Sequence, residues 1–193
     1  MNIPLQLIIL SIPSIIYIVD QRRRGKKWGE ALEDIGWQSC ELKYYIWGIG
    51  ISILVGGLGW LALRFVPSYL LEDPNVNISA YAGLTPSIAN LLLVWLKEAI
   101  YVALGEEIFF RGFLGSWLIR RFGFARGNIA QALIFLLPHL LLLLISIHFW
   151  PVLLVQLLAG WLFGWLRYHS DSILPGWLAH SLSNAFSAWM VMM

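Results

Sequence analysis

The chain has 193 residues, 59% of them hydrophobic and only 12% charged, with 11 Trp and a mean hydropathy of +0.73. That profile excludes an ordinary soluble domain, and a single cysteine, Cys40, excludes an internal disulfide. The net charge of +2 comes from basic residues gathered at segment ends, with no stripe interleaved with aromatics, so no nucleic-acid partner is expected.

Dividing the chain at its charged and Pro/Gly-rich breaks gives six apolar spans, at about 2–19, 44–65, 87–119, 127–147, 151–168 and 173–192. Each approaches or exceeds the ~20 residues that a helix needs to cross a bilayer. The fold class this predicts is all-α, a polytopic integral membrane bundle of about six transmembrane helices. The first span is followed, not preceded, by basic residues (Arg22, Arg23, Arg24, Lys26 and Lys27), which predicts a retained anchor running from outside to inside.

Placing that basic run in the cytoplasm also puts Lys43, Arg120, Arg121, Arg126 and Arg167 inside, ten of the thirteen Lys and Arg residues. Cys40 falls on the same, reducing side and is expected to be inert. The segment from Trp28 to Ser39 reads as a short amphipathic helix or a simple linker. The loop from Pro67 to Pro86 then faces out, carrying Glu72 and Asp73 but no Lys or Arg, with Trp60, Trp95 and Trp150 near that interface.

The third span would make ~50 Å of helix against a hydrocarbon core of ~30 Å. It must tilt, break or protrude, and Gly105, Gly112 and Gly115 offer places to bend. Lys97 and Glu98 near its start are expected at the outer surface with no catalytic role. Deeper in the same span lies Glu106-Glu107-x-x-x-Arg111, and adjacent carboxylates in hydrocarbon mark a functional site or a buried ion pair.

Two later spans carry His139 and His180-x-x-x-Asn184. Counting about 1.5 Å per residue from the nearest polar boundary, Glu106 lies ~21 Å deep, His139 ~20 Å, His180 ~14 Å and Asn184 ~20 Å, so the groups share a level. Residues four apart share a helix face, which pairs Glu107 with Arg111, His180 with Asn184 and Phe135 with His139. Glu106, about 100° further round, is left free. Gly160-x-x-x-Gly164 suits close packing inside the bundle. His148 and His169 flank short loops and read as interfacial.

These residues resemble the CPBP intramembrane proteases, also called the Abi family, which include the type II CAAX prenyl endopeptidases. The family pattern is Glu-Glu-x-x-x-Arg, Phe-x-x-x-His and His-x-x-x-Asn on separate membrane helices. It is matched by Glu106-Glu107-Ile108-Phe109-Phe110-Arg111, Phe135-Leu136-Leu137-Pro138-His139 and His180-Ser181-Leu182-Ser183-Asn184. The resemblance covers about residues 90–190. It implies a division into an N-terminal two-helix segment, 1–86, whose helices lie outside the match, and a four-helix catalytic core, 87–193.

The resemblance also implies an intramembrane endopeptidase acting on a membrane-associated or lipidated, CAAX-like protein or peptide. Glu106 would be the general base for a water, which His139 orients. His180 and Asn184 would stabilise the oxyanion, and Glu107 with Arg111 would hold Glu106 in place. No cofactor is favoured. A zinc ion on Glu106, His139 and His180 is the alternative, although the His-Glu-x-x-His pattern is lacking. Minimal loops resemble the prokaryotic members, which implies an inner-membrane protein with its N-terminus outside and its active site opening toward the cytoplasm.

Other readings stay open beside this one. Glu107 with Arg111 alone could be a structural ion pair, His139 a core histidine bonded to a carbonyl, and His180-Asn184 interhelical polar glue. As a whole the chain could be a proton-coupled carrier or a non-catalytic peptide-binding or immunity scaffold. Against the carrier, the polar groups cluster at one depth and no internal repeat is visible.

Overall fold

The computed structural model describes residues 4–192, and among these there is no strand. The helices are α1 (Leu5–Arg23), α2 (Trp28–Glu33), α3 (Leu42–Leu63), α4 (Ser68–Leu71), α5 (Ile88–Phe122), α6 (Phe124–His139), α7 (Leu142–Ile145), α8 (Trp150–Ser170) and α9 (Leu174–Met192). The Trp28–Ser39 segment thus forms one short helix followed by a loop, and a 3-10 turn at Asn77–Tyr81 sits in the loop before α5.

Among the described residues five stretches are long and apolar enough to cross a membrane: Leu5–Arg23, Leu42–Leu63, Ile88–Phe122, Phe124–Ile145 and Ile147–Ser170. The sixth expected span is α9, whose 19 residues make ~28 Å of helix. His180, Asn184 and three serines dilute its apolar character. It is sheltered by packing against α3, α8 and the first half of α5. Outward-facing Ile8, Ile12, Leu93, Leu133 and Leu154 leave an apolar belt on the other helices, as lipid requires.

Small residues set how closely the helices approach. On α3, a Cβ at Gly48 would stand 2.9 Å from the Pro175 carbonyl oxygen and one at Gly56 2.9 Å from the Phe186 ring, so these glycines admit α9. Beside that seam Ile51, Val55, Ala159, Phe163, Leu166 and Ala179 form the central core. On α8, Gly164 faces the buried side chains of Asn128 and Gln131, and a Cβ there would overlap Asn128 Oδ1 at 1.9 Å. Asn128 Nδ2 donates to the Trp161 carbonyl at 3.0 Å and Gln131 Nε2 to that of Gly160 at 2.7 Å. The Gly160/Gly164 pair therefore serves packing inside the bundle, as expected.

The long helix α5 does not break. Ser87 caps it by accepting from the Asn90 amide at 3.1 Å, and Gly123, at φ 76°, ends it. It contains two π-helical stretches, Glu98–Ala103 and Glu107–Gly115, on either side of a short α-helical turn that holds Glu106. Such stretches are rare and concentrate at functional sites. Gly105 and Gly112, named as places to bend, are also places of close approach. A Cβ on Gly105 would lie 2.8 Å from Leu7 Cα of α1, and one on Gly112 2.7 Å from the Ile35 carbonyl oxygen.

Candidate active site

The motif residues of α5, α6 and α9 converge on one cavity of about 690 Å³, within the range of ligand pockets. Gln6, Glu98, Glu106, His139, His180 and Asn184 line its polar part. Its other walls are mostly apolar, with Val55, Val76, Ile145 and Val152 among them.

The base of the site is an ionic group sealed from solvent. Glu107 and Arg111 are 0% exposed at their side chains, with Arg111 Nη1 3.0 Å from Glu107 Oε1. That approach is too oblique to be a hydrogen bond, and the guanidinium nitrogens have no other polar partner. Arg111 instead rests on aromatic faces, its Cζ 4.1 Å from the Phe135 ring centroid and 5.3 Å from that of Phe163. Phe135 thereby has a role of its own, as a platform for the arginine. Gly176 leaves room for the carboxylate, since a Cβ there would stand 3.0 Å from Glu107 Oε2.

The same Glu107 Oε1 lies 2.9 Å from His180 Nδ1. A carboxylate accepts, so Nδ1 donates and His180 is left to present Nε2 toward the cavity. Glu107 therefore fixes His180 more directly than it fixes Glu106, which revises the role expected for it. The Glu106 carboxylate is held from α1: Gln6 Nε2 donates to Glu106 Oε1 at 2.6 Å. Glu106 Oε2 has no hydrogen-bond partner, with His180 Nε2 3.6 Å away. His139 donates through Nδ1 to the Phe135 carbonyl at 2.9 Å, as the core-histidine reading anticipated, yet this too leaves its Nε2 for the cavity it lines.

Two residues of the site escaped the reading of the sequence. Glu98, expected at the outer surface, is 2% exposed and buried within the bundle. Its Oε2 accepts from Asn184 Nδ2 at 2.9 Å and its Oε1 from the Tyr81 hydroxyl. Burial and the Glu98 bond raise the pKa of the Tyr81 phenol, which keeps it a donor. Lys97 does lie exposed, its Nζ 4.8 Å from the Tyr81 ring centroid. The other missed residue is Gln6, because the helices of residues 1–86 fell outside the motif match.

The zinc alternative fits poorly. Among the described residues no three His, Cys, Asp or Glu side chains stand as a metal-holding group. Glu106, His139 and His180 are not so gathered.

The cavity also has a direction. From the Glu106 level it runs past Gly59 and Leu63 on α3 and Ser187 on α9 to Asn75 and Asn77 in the loop before α5. The ten basic residues discussed above lie at the other end of the helices. A cytoplasmic opening and cytoplasmic basic loops were both expected, and they exclude one another.

A model of the family described as Type II CAAX prenyl endopeptidase Rce1-like matches residues 88–186, just over half of the chain and all three motifs. The chain belongs to that family. No curated protein and no solved structure gave a match. Membership makes this Rce1-like chain part of a family of membrane-embedded proteases, related to the wider CPBP (Abi) group that the motifs resemble. It also agrees with an integral membrane protein.

Proposed function

We propose that this Rce1-like chain is an intramembrane endopeptidase that cuts a membrane-associated or lipidated, CAAX-like peptide with a glutamate-activated water. The observation that carries this reading is Glu106, a residue that lines the cavity and whose buried Oε2 has no hydrogen-bond partner and an imidazole nitrogen 3.6 Å away. Its sister oxygen is occupied by Gln6, so one atom is left for chemistry.

In the proposed reaction a water sits between Glu106 Oε2 and the scissile carbonyl carbon. His139 Nε2, fixed by the Phe135 carbonyl bond behind it, accepts from that water and aims its lone pair. Glu106 takes the proton as the oxygen attacks, then passes it to the leaving amine as the tetrahedral intermediate collapses. His180, as imidazolium, donates from Nε2 to the developing oxyanion, with Glu107 stabilising the charge behind it. Asn184 supplies the second donor with the amide hydrogen that Glu98 does not use.

No metal takes part in this scheme. The test is incubation of the purified protein with a prenylated CAAX peptide and a bacterial membrane peptide library, with and without chelator, read by mass spectrometry. Cleavage that survives chelation and is lost in Glu106→Gln supports the reading. Cleavage that chelation stops and zinc restores replaces it with a metal mechanism.

A further inference from the structure

The direction of the cavity and the placement of the positive charges are independent observations, and together they constrain the substrate. Arg22, Arg23, Arg24, Lys26 and Lys27 end α1 and lead into α2; Lys43 begins α3; Arg120 and Arg121 end α5; Arg126 begins α6; Arg167 lies in the last turn of α8. All ten stand at one end of the bundle. At the other end only Arg64 and Lys97 are basic, each lying over an aromatic ring, of Trp60 and Tyr81 respectively. The connecting segments are short enough for the Lys/Arg bias to set orientation.

The cavity extends from the middle of the bundle to the sparsely basic end. Its wall is made of Gln6 on α1, the second half of α3, α5 from Glu98 to Glu106, the C-terminal end of α6, α7, α8 from Val152 to Phe163, α9 from His180 onward and the turn around Asn77. Asn75 and Asn77 are exposed, so the cavity reaches bulk solvent beside the loop that carries Glu72 and Asp73. Nothing in its lining comes from α2 or from the basic turns.

We infer that the cavity opens on the extracytoplasmic face, and that the substrate is a membrane-anchored peptide whose scissile bond is presented from that face. This rests on the hydrolase reading above and narrows it. A chain end whose lipid is inserted from the cytoplasmic leaflet would have to cross the membrane to reach Glu106. A peptide exported through the bilayer, or a single-span segment whose cleavage point emerges outside, enters directly.

Two measurements separate this inference from the reading that it rests on. In a Cys40→Ser background, Asn75→Cys marks the cavity mouth and Glu30→Cys the basic end, both at exposed positions. Intact cells are treated with a membrane-impermeant maleimide. Labelling of the Asn75→Cys protein in intact cells, with the Glu30→Cys protein labelled only after permeabilisation, is the expected result. The reverse pattern, or equal labelling of both, overturns the orientation whatever the enzyme does.

The second measurement compares peptides from cells carrying the wild type and Glu106→Gln. Fragments that depend on Glu106 should be found outside the cytoplasm. Their appearance in the cytosol alone overturns the substrate class. If no fragment depends on Glu106, the hydrolase reading and the substrate class both fall, while the labelling still decides orientation.

Discussion

Asn184 donates to Glu98 across 2.9 Å, joining the last residue of the third motif to a carboxylate eight positions ahead of Glu106. The bond is charge-assisted, and Tyr81 completes it from the other side, so the Asn184 amide is held in one orientation. An oxyanion donor is useful only if it is already in place when charge develops.

Removal of that support should therefore slow the reaction with little effect on peptide binding. Glu98→Gln keeps the shape and loses the charge, and kcat should fall about tenfold, as expected for loss of a hydrogen bond to a charged group. Asn184→Ala should cost more, on the order of 10²-fold in kcat with a smaller change in KM. Steady-state kinetics on both variants checks this. An unchanged kcat in Glu98→Gln would return Glu98 to a purely structural role.

The Gln6 contact depends on how closely α1 approaches α5. Gly105 permits it, because any side chain there meets Leu7 Cα at 2.8 Å. Gln6→Ala removes the donor to Glu106, and Gly105→Ala should push the same donor away. Both are expected to lower kcat about tenfold, from loss of a charge-assisted bond. The double variant should be little worse than either single one, since both act on one contact. Additive losses would show that α1 and Gly105 act separately.

Arg111 is caged between Glu107 and the faces of Phe135 and Phe163, so its loss leaves the buried Glu107 carboxylate with His180 as its one remaining partner. Arg111→Ala should destabilise the fold by about 3–5 kcal/mol, the usual cost of breaking a buried pair. Arg111→Lys keeps the charge but not the planar stacking, and should fall between. Thermal unfolding in detergent measures both. Glu106→Gln serves as the control, because Glu106 carries no ion pair with Arg111 and its replacement should leave the transition nearly unmoved.

The polar clasp between α6 and α8 gives a prediction independent of catalysis. Gly164→Ala drives a methyl group into Asn128 Oδ1, at 1.9 Å, and Gln131 Nε2, at 2.5 Å. Those side chains are buried and must move as a pair. A loss of about 1–3 kcal/mol is expected for this overpacking, read as a lower unfolding temperature. Gly57→Ala, where an added Cβ meets nothing within 4 Å, should be nearly neutral.

The convergence of Glu106, His139 and His180 could be read from spacing and depth, because a helix converts residue counts into distance and face. The same arithmetic failed at Glu98. Depth measured from Arg120 put it at the interface, but it faces inward, and Tyr81 from the preceding loop and Asn184 from α9 satisfy its carboxylate. Neither partner was visible from its own segment. Gln6 was hidden for a similar reason: a lone amide in an apolar anchor means nothing until Gly105 shows that another helix touches it. The direction of the cavity needed the structure altogether, since charge bias orients helices and says nothing of where a hollow lies between them.

The central claim is that Glu106 activates water on a peptide bond without a metal. Its most direct test is single-turnover cleavage by purified wild type and Glu106→Gln, on the prenylated CAAX peptide and the membrane peptide library, before and after exhaustive chelation. The wild type should cleave equally with and without chelator, and Glu106→Gln should not cleave at all despite an unchanged unfolding temperature. Cleavage that persists in Glu106→Gln, or that chelation abolishes and zinc restores, would contradict that claim.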